Sequence, residues 1–200
     1  MHSEIEAKFL NVYFEDVRVR LKKIGAICEQ PMRTMRRVLF DYPDERFQKN
    51  GQMQRLRVRD EVDKVALNFK SKKSETNYPD ELEVVVDSFD NTIKLLEAIG
   101  LKQYSFQQSK RETWKYKDVE VVLDEWPWLD TYIEIEGPSE EAIKQAATDL
   151  GFDWKDAGFG SVDRAYRQQY PGMTKSESIG DLPEVKFGVP IPQYLIERKK

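Results

Sequence analysis

The chain has 200 residues, 40% of them hydrophobic and 34% charged, and its 32 basic and 36 acidic side chains leave a net charge of −4. That describes one globular domain long enough to bury a core, with no global field for nucleic acid, and a lone cysteine, Cys28, excludes an internal disulfide or a cysteine-ligated zinc site. The single histidine, His2, likewise excludes a histidine triad, a zinc hydrolase centre and an imidazole base inside the fold. With neither a long apolar run nor a leader-like start, a cytoplasmic protein is expected, without nucleic-acid or membrane partners, as a monomer or homodimer.

Glu4-Ile5-Glu6-Ala7-Lys8-Phe9 alternates charged and apolar residues, which predicts a strand with Glu4, Glu6 and Lys8 on one face. Asn11 is positioned to cap a helix carrying Phe14, Val17, Leu21 and Ile24, which Gly25 stops. A strand is predicted over 35–42, with Arg37, Leu39 and Asp41 on one side, and another over 54–60, where Arg55, Arg57 and Arg59 line one face. Asp63-Lys64 turns into a strand over 65–70 that ends on Lys70. Glu81-Leu82-Glu83-Val84 repeats the acid-apolar-acid pattern and leads to a helix capped by Ser88 or Asp90. A hairpin follows over 105–116 and 118–124, presenting Arg111, Glu120 and Asp124. Tyr132 to Glu136 forms the last strand, and Ser139 caps the next helix. A short helix over 161–169 precedes 171–200, a proline-bearing stretch expected to be an irregular tail beyond a domain over 1–170. Strand, helix and glycine recur three times as a weak internal repeat, closing on Gly25, Gly100 and Gly151.

Helices must cover the apolar sides of the strands they follow, so the charged sides are left facing away from them. About eight strands with helices outside predict an α+β protein built on an eight-stranded antiparallel β-barrel, a tunnel with a charged lumen. Unpaired buried charge costs several kcal/mol per ion, so such a lumen has to be internally paired, wet and filled by a charged ligand. Carboxylates without histidine or thiolate suit Mg²⁺ or Mn²⁺, and a row of arginines suits phosphate oxygens. Together they describe a triphosphate with a metal, a substrate whose chemistry asks mainly for positioning and charge neutralisation.

Read in order, these segments resemble the CYTH superfamily, the triphosphate tunnel metalloenzymes, which include class IV adenylate cyclases, thiamine triphosphatases and inorganic triphosphatases. The resemblance rests on Glu4-x-Glu6-x-Lys8, Leu56-Arg57-Val58-Arg59, Leu67-Asn68-Phe69-Lys70, Glu81-Leu82-Glu83, Arg111, Leu123-Asp124-Glu125 and Tyr132-Ile133-Glu134-Ile135-Glu136-Gly137. It implies a metal held by Glu4, Glu6, Glu134 and Glu136. Lys8, Arg57, Arg59, Lys70 and Arg111 would hold the triphosphate, Arg55 would add a guanidinium, and Glu81 and Glu83 would lie beside the substrate. Glu4, Glu6 and Asp124 are the expected catalytic carboxylates, with Asp124, in place of a second metal, to hold or orient the water. Ser109 stands where the family usually shows lysine, Asp130 where glycine is common, and Arg37 and Arg55 add charge that could shift which triphosphate fits. The activity implied is metal-dependent hydrolysis of inorganic, thiamine or nucleoside triphosphate. The alternatives are cyclisation of ATP to cyclic AMP and pyrophosphate, or a non-catalytic polyphosphate or nucleotide binder. Blander roles stand beside these: the arginine row as structural ion pairs, Trp126 and Trp128 as aromatics that close a barrel end, and Arg164 and Arg167 as a charged helix surface.

Overall fold

The computed structural model describes residues 5–49, 53–72 and 80–199. In chain order they form β1 (Ile5–Leu10), α1 (Phe14–Lys23), β2 (Ile27–Asp41), α2 (Arg46–Lys49), β3 (Met53–Asp60), β4 (Val65–Lys72), β5 (Asp80–Val86) and α3 (Phe89–Ala98). There follow β6 (Lys102–Tyr116), β7 (Val119–Glu125), β8 (Tyr132–Gly137), α4 (Glu140–Asp149), α5 (Asp163–Gln169), β9 (Glu184–Val185) and α6 (Gln193–Glu197). No helix among the described residues is long and apolar enough to cross a membrane.

Hydrogen bonding links the strands in the order β1-β8-β7-β6-β2-β3-β4-β5, with β9 added to β6. The antiparallel sheet with helices is as expected, but the closed barrel is not: the path has two ends, and among the described residues no ladder joins β5 to β1. Closure was inferred because free edges invite aggregation, and the chain manages both edges by other means. Lys8 exchanges a pair of backbone hydrogen bonds with Gly158, covering the outer side of β1. The β5 segment carries Glu81, Glu83 and Asp87, whose charge opposes stacking of another strand.

By compactness the described residues fall into two units, one from 34–108 and 179–186, the other from 5–33, 109–178 and 187–199. In the first, α3 packs on the apolar faces of β2 and β3, where Val38, Phe40 and Val58 meet Phe89 and Leu96. In the second, α1 and α4 cover β1, β8 and β7: Val17, Leu21, Ile143 and Leu150 bury against Ala7, Phe9, Ile133, Ile135, Val121 and Leu123. Each fully buried side chain of this kind stabilises the fold by roughly 1.5–3 kcal/mol. The strand faces of β1, β2, β3, β7 and β8 therefore sort as the alternation predicts, with the apolar side covered by helices, whereas Leu82 and Val84 on the apolar side of β5 stay exposed.

Ser88 and Ser139 accept hydrogen bonds from the Asn91 and Ala142 backbone N–H groups, as helix caps should. Gly25, Gly100 and Gly151 take positive φ just past their helices, the left-handed stop that lets the chain turn back. Asn11 does not cap α1. It takes φ 56 in the turn, and Tyr13 is the cap residue without a side-chain bond. The second strand begins at Ile27 rather than 35; its first half is mostly exposed, lacks apolar alternation in sequence and contains Pro31, so it does not read as a strand.

The 171–199 segment carries β9 and α6 and is clasped near its two ends. In the second unit Gly172 N–H donates to the Arg198 carbonyl at 2.9 Å, and a side chain at 172 would meet the Arg198 backbone at 2.9–3.0 Å. Arg198 pairs with Glu177, which also accepts from the Thr174 N–H. Arg198 first, then Thr174, hold the Glu177 carboxyl down at about 2 from an ordinary 4.5. A depressed folded-state value adds stability above pH 4.5 that is lost as pH falls toward 2. Melting wild type and Glu177→Gln side by side should therefore show a gap at pH 5 that has closed by pH 2; a gap independent of pH would contradict the clasp.

Candidate functional site

In the second unit the uncovered face is read most simply in rows across the strands. Glu6 of β1 lies opposite Glu136 of β8, which lies opposite Glu120 of β7, which faces Lys115 of β6. The next row runs Lys8, Glu134, Val122, Thr113, and the next Leu10, Tyr132, Asp124, Arg111. Like charges directly opposite each other destabilise a sheet, so the Glu6-Glu136-Glu120 row opposes folding unless cations answer it.

Part of the answer is built in. Lys8, with 3% of its side chain exposed, donates to Glu6 at 2.7 Å and lies 3.1 Å from Glu134. Arg111 forks onto Asp124, its Nε and Nη2 donating at 2.7 and 2.5 Å, and Nη2 also reaches Glu134 at 3.0 Å. Burial works against the Lys8 charge, but Glu134 and Glu6 outweigh it and hold its pKa above the ordinary value. Burial opposes Arg111 too, and Asp124 and Glu134 raise it further still. Glu134 is the converse: burial would raise its carboxyl, and Lys8 and Arg111 hold it lower. Glu120 is pushed up, mainly by burial.

In the first unit the uncovered face is basic. Arg37 lies opposite Arg59, and Arg55 opposite Lys70, so two like-charge pairs sit side by side in register. Asn68 lies between Arg57 and Glu83, and Lys70 is opposite Glu81. Lys70 meets Glu81 at 2.5 Å, Arg59 meets Glu61 at 2.5 Å and Glu83 at 3.7 Å, and Arg57 is 4.0 Å from Glu81. Burial would raise both carboxyls, but Lys70 with Asn68 and Arg57 holds Glu81, and Lys64 with Arg59 and Asn68 holds Glu83, below the usual carboxylate range. Arg57 is pushed well below the ordinary guanidinium value by burial first and then by Arg59, Arg37 and Arg55. The Nε atoms of Arg57 and Arg59 are buried with no hydrogen-bond partner among the described residues, as is Asn68 Oδ1. Buried donors left without an acceptor are uncommon, and here they belong to a crowded row of cations.

The structure thus gathers Glu6, Lys8, Arg111, Asp124, Glu134 and Glu136 on one face of the second unit, and Arg55, Arg57, Arg59, Lys70, Glu81 and Glu83 on one face of the first. Glu4 and His2 lie outside the described residues. The sequence gives Asn68 no role beyond its place in Leu67-Asn68-Phe69-Lys70, yet its Nδ2 donates to Glu81 and Glu83, an uncharged group in a row of ions. Glu61, at the end of the arginine strand, was also missed. Trp126 is buried, and Trp128 donates its Nε1–H to the Val189 carbonyl while its own carbonyl accepts from Tyr170 and Gln169, which are structural contacts. Arg164 and Arg167 bond to the Phe159 and Glu177 carbonyls.

The donor set of the second unit is oxygen only, which suits a hard divalent cation in kind, and the Glu6-Glu136-Glu120 row supplies neighbouring carboxylates. Among the described residues no three acidic side chains converge as they stand on a point where an ion would sit. Glu6 and Glu134 are turned toward Lys8 instead.

A family model for the CYTH domain matches residues 2–166. No curated protein matches the sequence significantly. Among solved structures, a protein from Pyrococcus horikoshii is 23% identical with a TM-score of 0.63, the match covering 81% of this chain and 98% of that one. A candidate adenylate cyclase from Vibrio parahaemolyticus is 13% identical with a TM-score of 0.68, covering 82% and 97%. A candidate adenylyl cyclase from Hippeastrum with a dominant triphosphatase activity is 14% identical with a TM-score of 0.56, covering 88% and 99%. At these identities the likenesses establish the fold, while the family model spans most of the chain: the protein belongs to the CYTH family.

Proposed function

We propose that the protein is a metal-dependent phosphohydrolase acting on a triphosphate. The observation that carries this reading is the arginine row, whose buried Arg57 and Arg59 Nε–H groups await acceptors and whose charges crowd one another. A polyanion answers both needs, since each guanidinium can grip phosphate oxygens through paired, charge-assisted hydrogen bonds. Glu81, from β5, pairs with Lys70 and lies 4.0 Å from Arg57, and Glu83 lies 3.7 Å from Arg59.

Glu6, Glu134 and Glu136, with Glu4, are the carboxylates we assign to Mg²⁺ or Mn²⁺, which when bound would neutralise phosphate charge. Lys8 and Arg111 contribute positive charge to the phosphates. Asp124 is 1% exposed and engaged by the Arg111 fork, so we assign it to position Arg111. Hydrolysis breaks a P–O bond as water adds to phosphorus, and with no histidine within the described residues the water's proton passes to a carboxylate. The Hippeastrum neighbour's triphosphatase activity agrees with this reaction. The Vibrio neighbour keeps a second one in play, cyclisation of ATP, in which a ribose hydroxyl replaces water.

The test is a panel of inorganic triphosphate, thiamine triphosphate and ATP with Mg²⁺ or Mn²⁺, each assayed for orthophosphate, pyrophosphate and cyclic nucleotide. Orthophosphate release, lost in Glu6→Gln, is the expected result. Pyrophosphate with cyclic AMP would replace hydrolysis by cyclisation, and binding without metal-dependent turnover would leave a non-catalytic binder.

A further inference from the structure

The charges on the second unit's uncovered face are already spent on one another. Lys8 sits between Glu6 and Glu134, and Arg111 between Glu134 and Asp124, so that each Glu134 oxygen is approached by a different cation. The side chains of Lys8 and Asp124 are 3% and 1% exposed, and that of Glu134 is 12% exposed. None of these ions can be left alone without a penalty of several kcal/mol.

We infer that cation and polyanion binding on this face are coupled by exchange of ion-pair partners, with Glu134 as the residue that couples them. The inference rests on the proposed metal and triphosphate chemistry and concerns how the two ligands regulate each other. Were Glu6 and Glu134 to hold a divalent cation, Lys8 and one Arg111 contact would be released, and those donors would need anionic acceptors, which phosphate oxygens supply. A polyanion that recruits Lys8 and Arg111 first strips Glu134 of its partners and leaves a carboxylate in want of a cation. Arg111 can make this exchange without leaving its place, because Asp124 keeps hold of Nε and Nη2 while the Glu134 contact is traded. Either ligand alone must break pairs it does not replace, whereas both together leave every buried ion paired. By linkage, the factor by which metal tightens the polyanion equals the factor by which the polyanion tightens metal. The arginine row of the first unit differs in kind, since Arg57 and Arg59 present Nε–H donors that no internal partner has to release.

The distinguishing measurement is metal-free binding. Wild type, Glu134→Gln and Glu120→Gln are titrated calorimetrically with inorganic tripolyphosphate in excess chelator, and wild type also with Mg²⁺ present. Glu134→Gln keeps the side-chain shape and leaves Lys8 on Glu6 and Arg111 on Asp124, so the fold has its remaining pairs. It should bind metal-free tripolyphosphate about tenfold more tightly than wild type, because Lys8 and Arg111 no longer have to be pulled from Glu134. Glu120→Gln removes the same charge from the same face without touching those pairs, and should gain less than about threefold. Equal gains in the two variants would reduce the effect to bulk charge and overturn the exchange. No gain in Glu134→Gln, with wild type still binding tripolyphosphate and Mg²⁺, would overturn the coupling alone. Wild type that binds tripolyphosphate neither with nor without Mg²⁺ would remove the functional reading and the coupling with it.

Discussion

Arg57→Met should bind inorganic tripolyphosphate roughly 100-fold more weakly than wild type and yet melt no lower. The affinity loss follows from removing one guanidinium that makes charge-assisted bonds, each worth about 1.5–3 kcal/mol. The unchanged or raised melting temperature follows from the ground state of the row. Burial, Arg59, Arg37 and Arg55 all weigh against the Arg57 charge, and Glu81 at 4.0 Å compensates only in part. Replacing that charge with a hydrophobe of similar length relieves repulsion without opening a void. Calorimetric titration and a thermal melt of the same preparation decide the matter. A variant that melts well below wild type while binding normally would make Arg57 a structural ion-pair residue, the bland reading of the row.

Arg111→Met is expected to do the reverse and cost stability, about 3–5 kcal/mol, the range seen when one partner of a buried ion pair is removed. For a domain of this size that lowers the melting temperature by on the order of 10 °C. The cause is what remains: Asp124, almost fully buried, loses its fork, and Glu134 loses one of its two cations. The sign of the pH dependence follows from Glu134. Its folded pKa is depressed, with burial opposing and Lys8 and Arg111 prevailing, so its contribution is present above the ordinary carboxylate value and fades as pH falls. Without Arg111 that depression shrinks, and the gap between wild type and variant should hold from pH 7 down to the ordinary carboxylate value of 4.5 and narrow as pH falls below it. Adding Asp124→Asn should recover part of the loss by removing the stranded charge. A gap that stays constant or widens on acidification would contradict the ion-pair account.

Much of this was legible in the residues because ions at every second position admit few other readings. Glu6 and Lys8, Arg55 to Arg59, and Glu134 with Glu136 each assign a strand and both of its faces, and the helices that follow show which face is covered. The site residues fall on the uncovered faces for that reason alone. What stayed hidden lacks charge or alternation. Asn68 is a neutral amide among ions, and only in the folded sheet does it donate to Glu81 and Glu83 with its oxygen left over. Glu112 breaks the pattern from the other direction, an acid on an apolar face, held there by Arg18 and by the Trp114 indole N–H. The first half of β2 offers no charge alternation and is only partly buried, through Gln30, Met32 and Arg33, so its sequence carries little sign of a strand. Closure of a sheet depends on strand tilt and stagger, which alternation does not encode, and the expected barrel failed at that step.

The pairing of β1 with β8 has a consequence for synthesis. Leu10 meets Tyr132 and Ile5 meets Gly137, so β1 leaves the ribosome well before the strand whose ladder it joins. At 5–20 residues per second, that wait is on the order of ten seconds. During it, Phe9 and Ile5 stand exposed beside Glu4, Glu6 and Lys8, and those charges are well placed to keep a nascent, partnerless strand from sticking to its neighbours on a polysome.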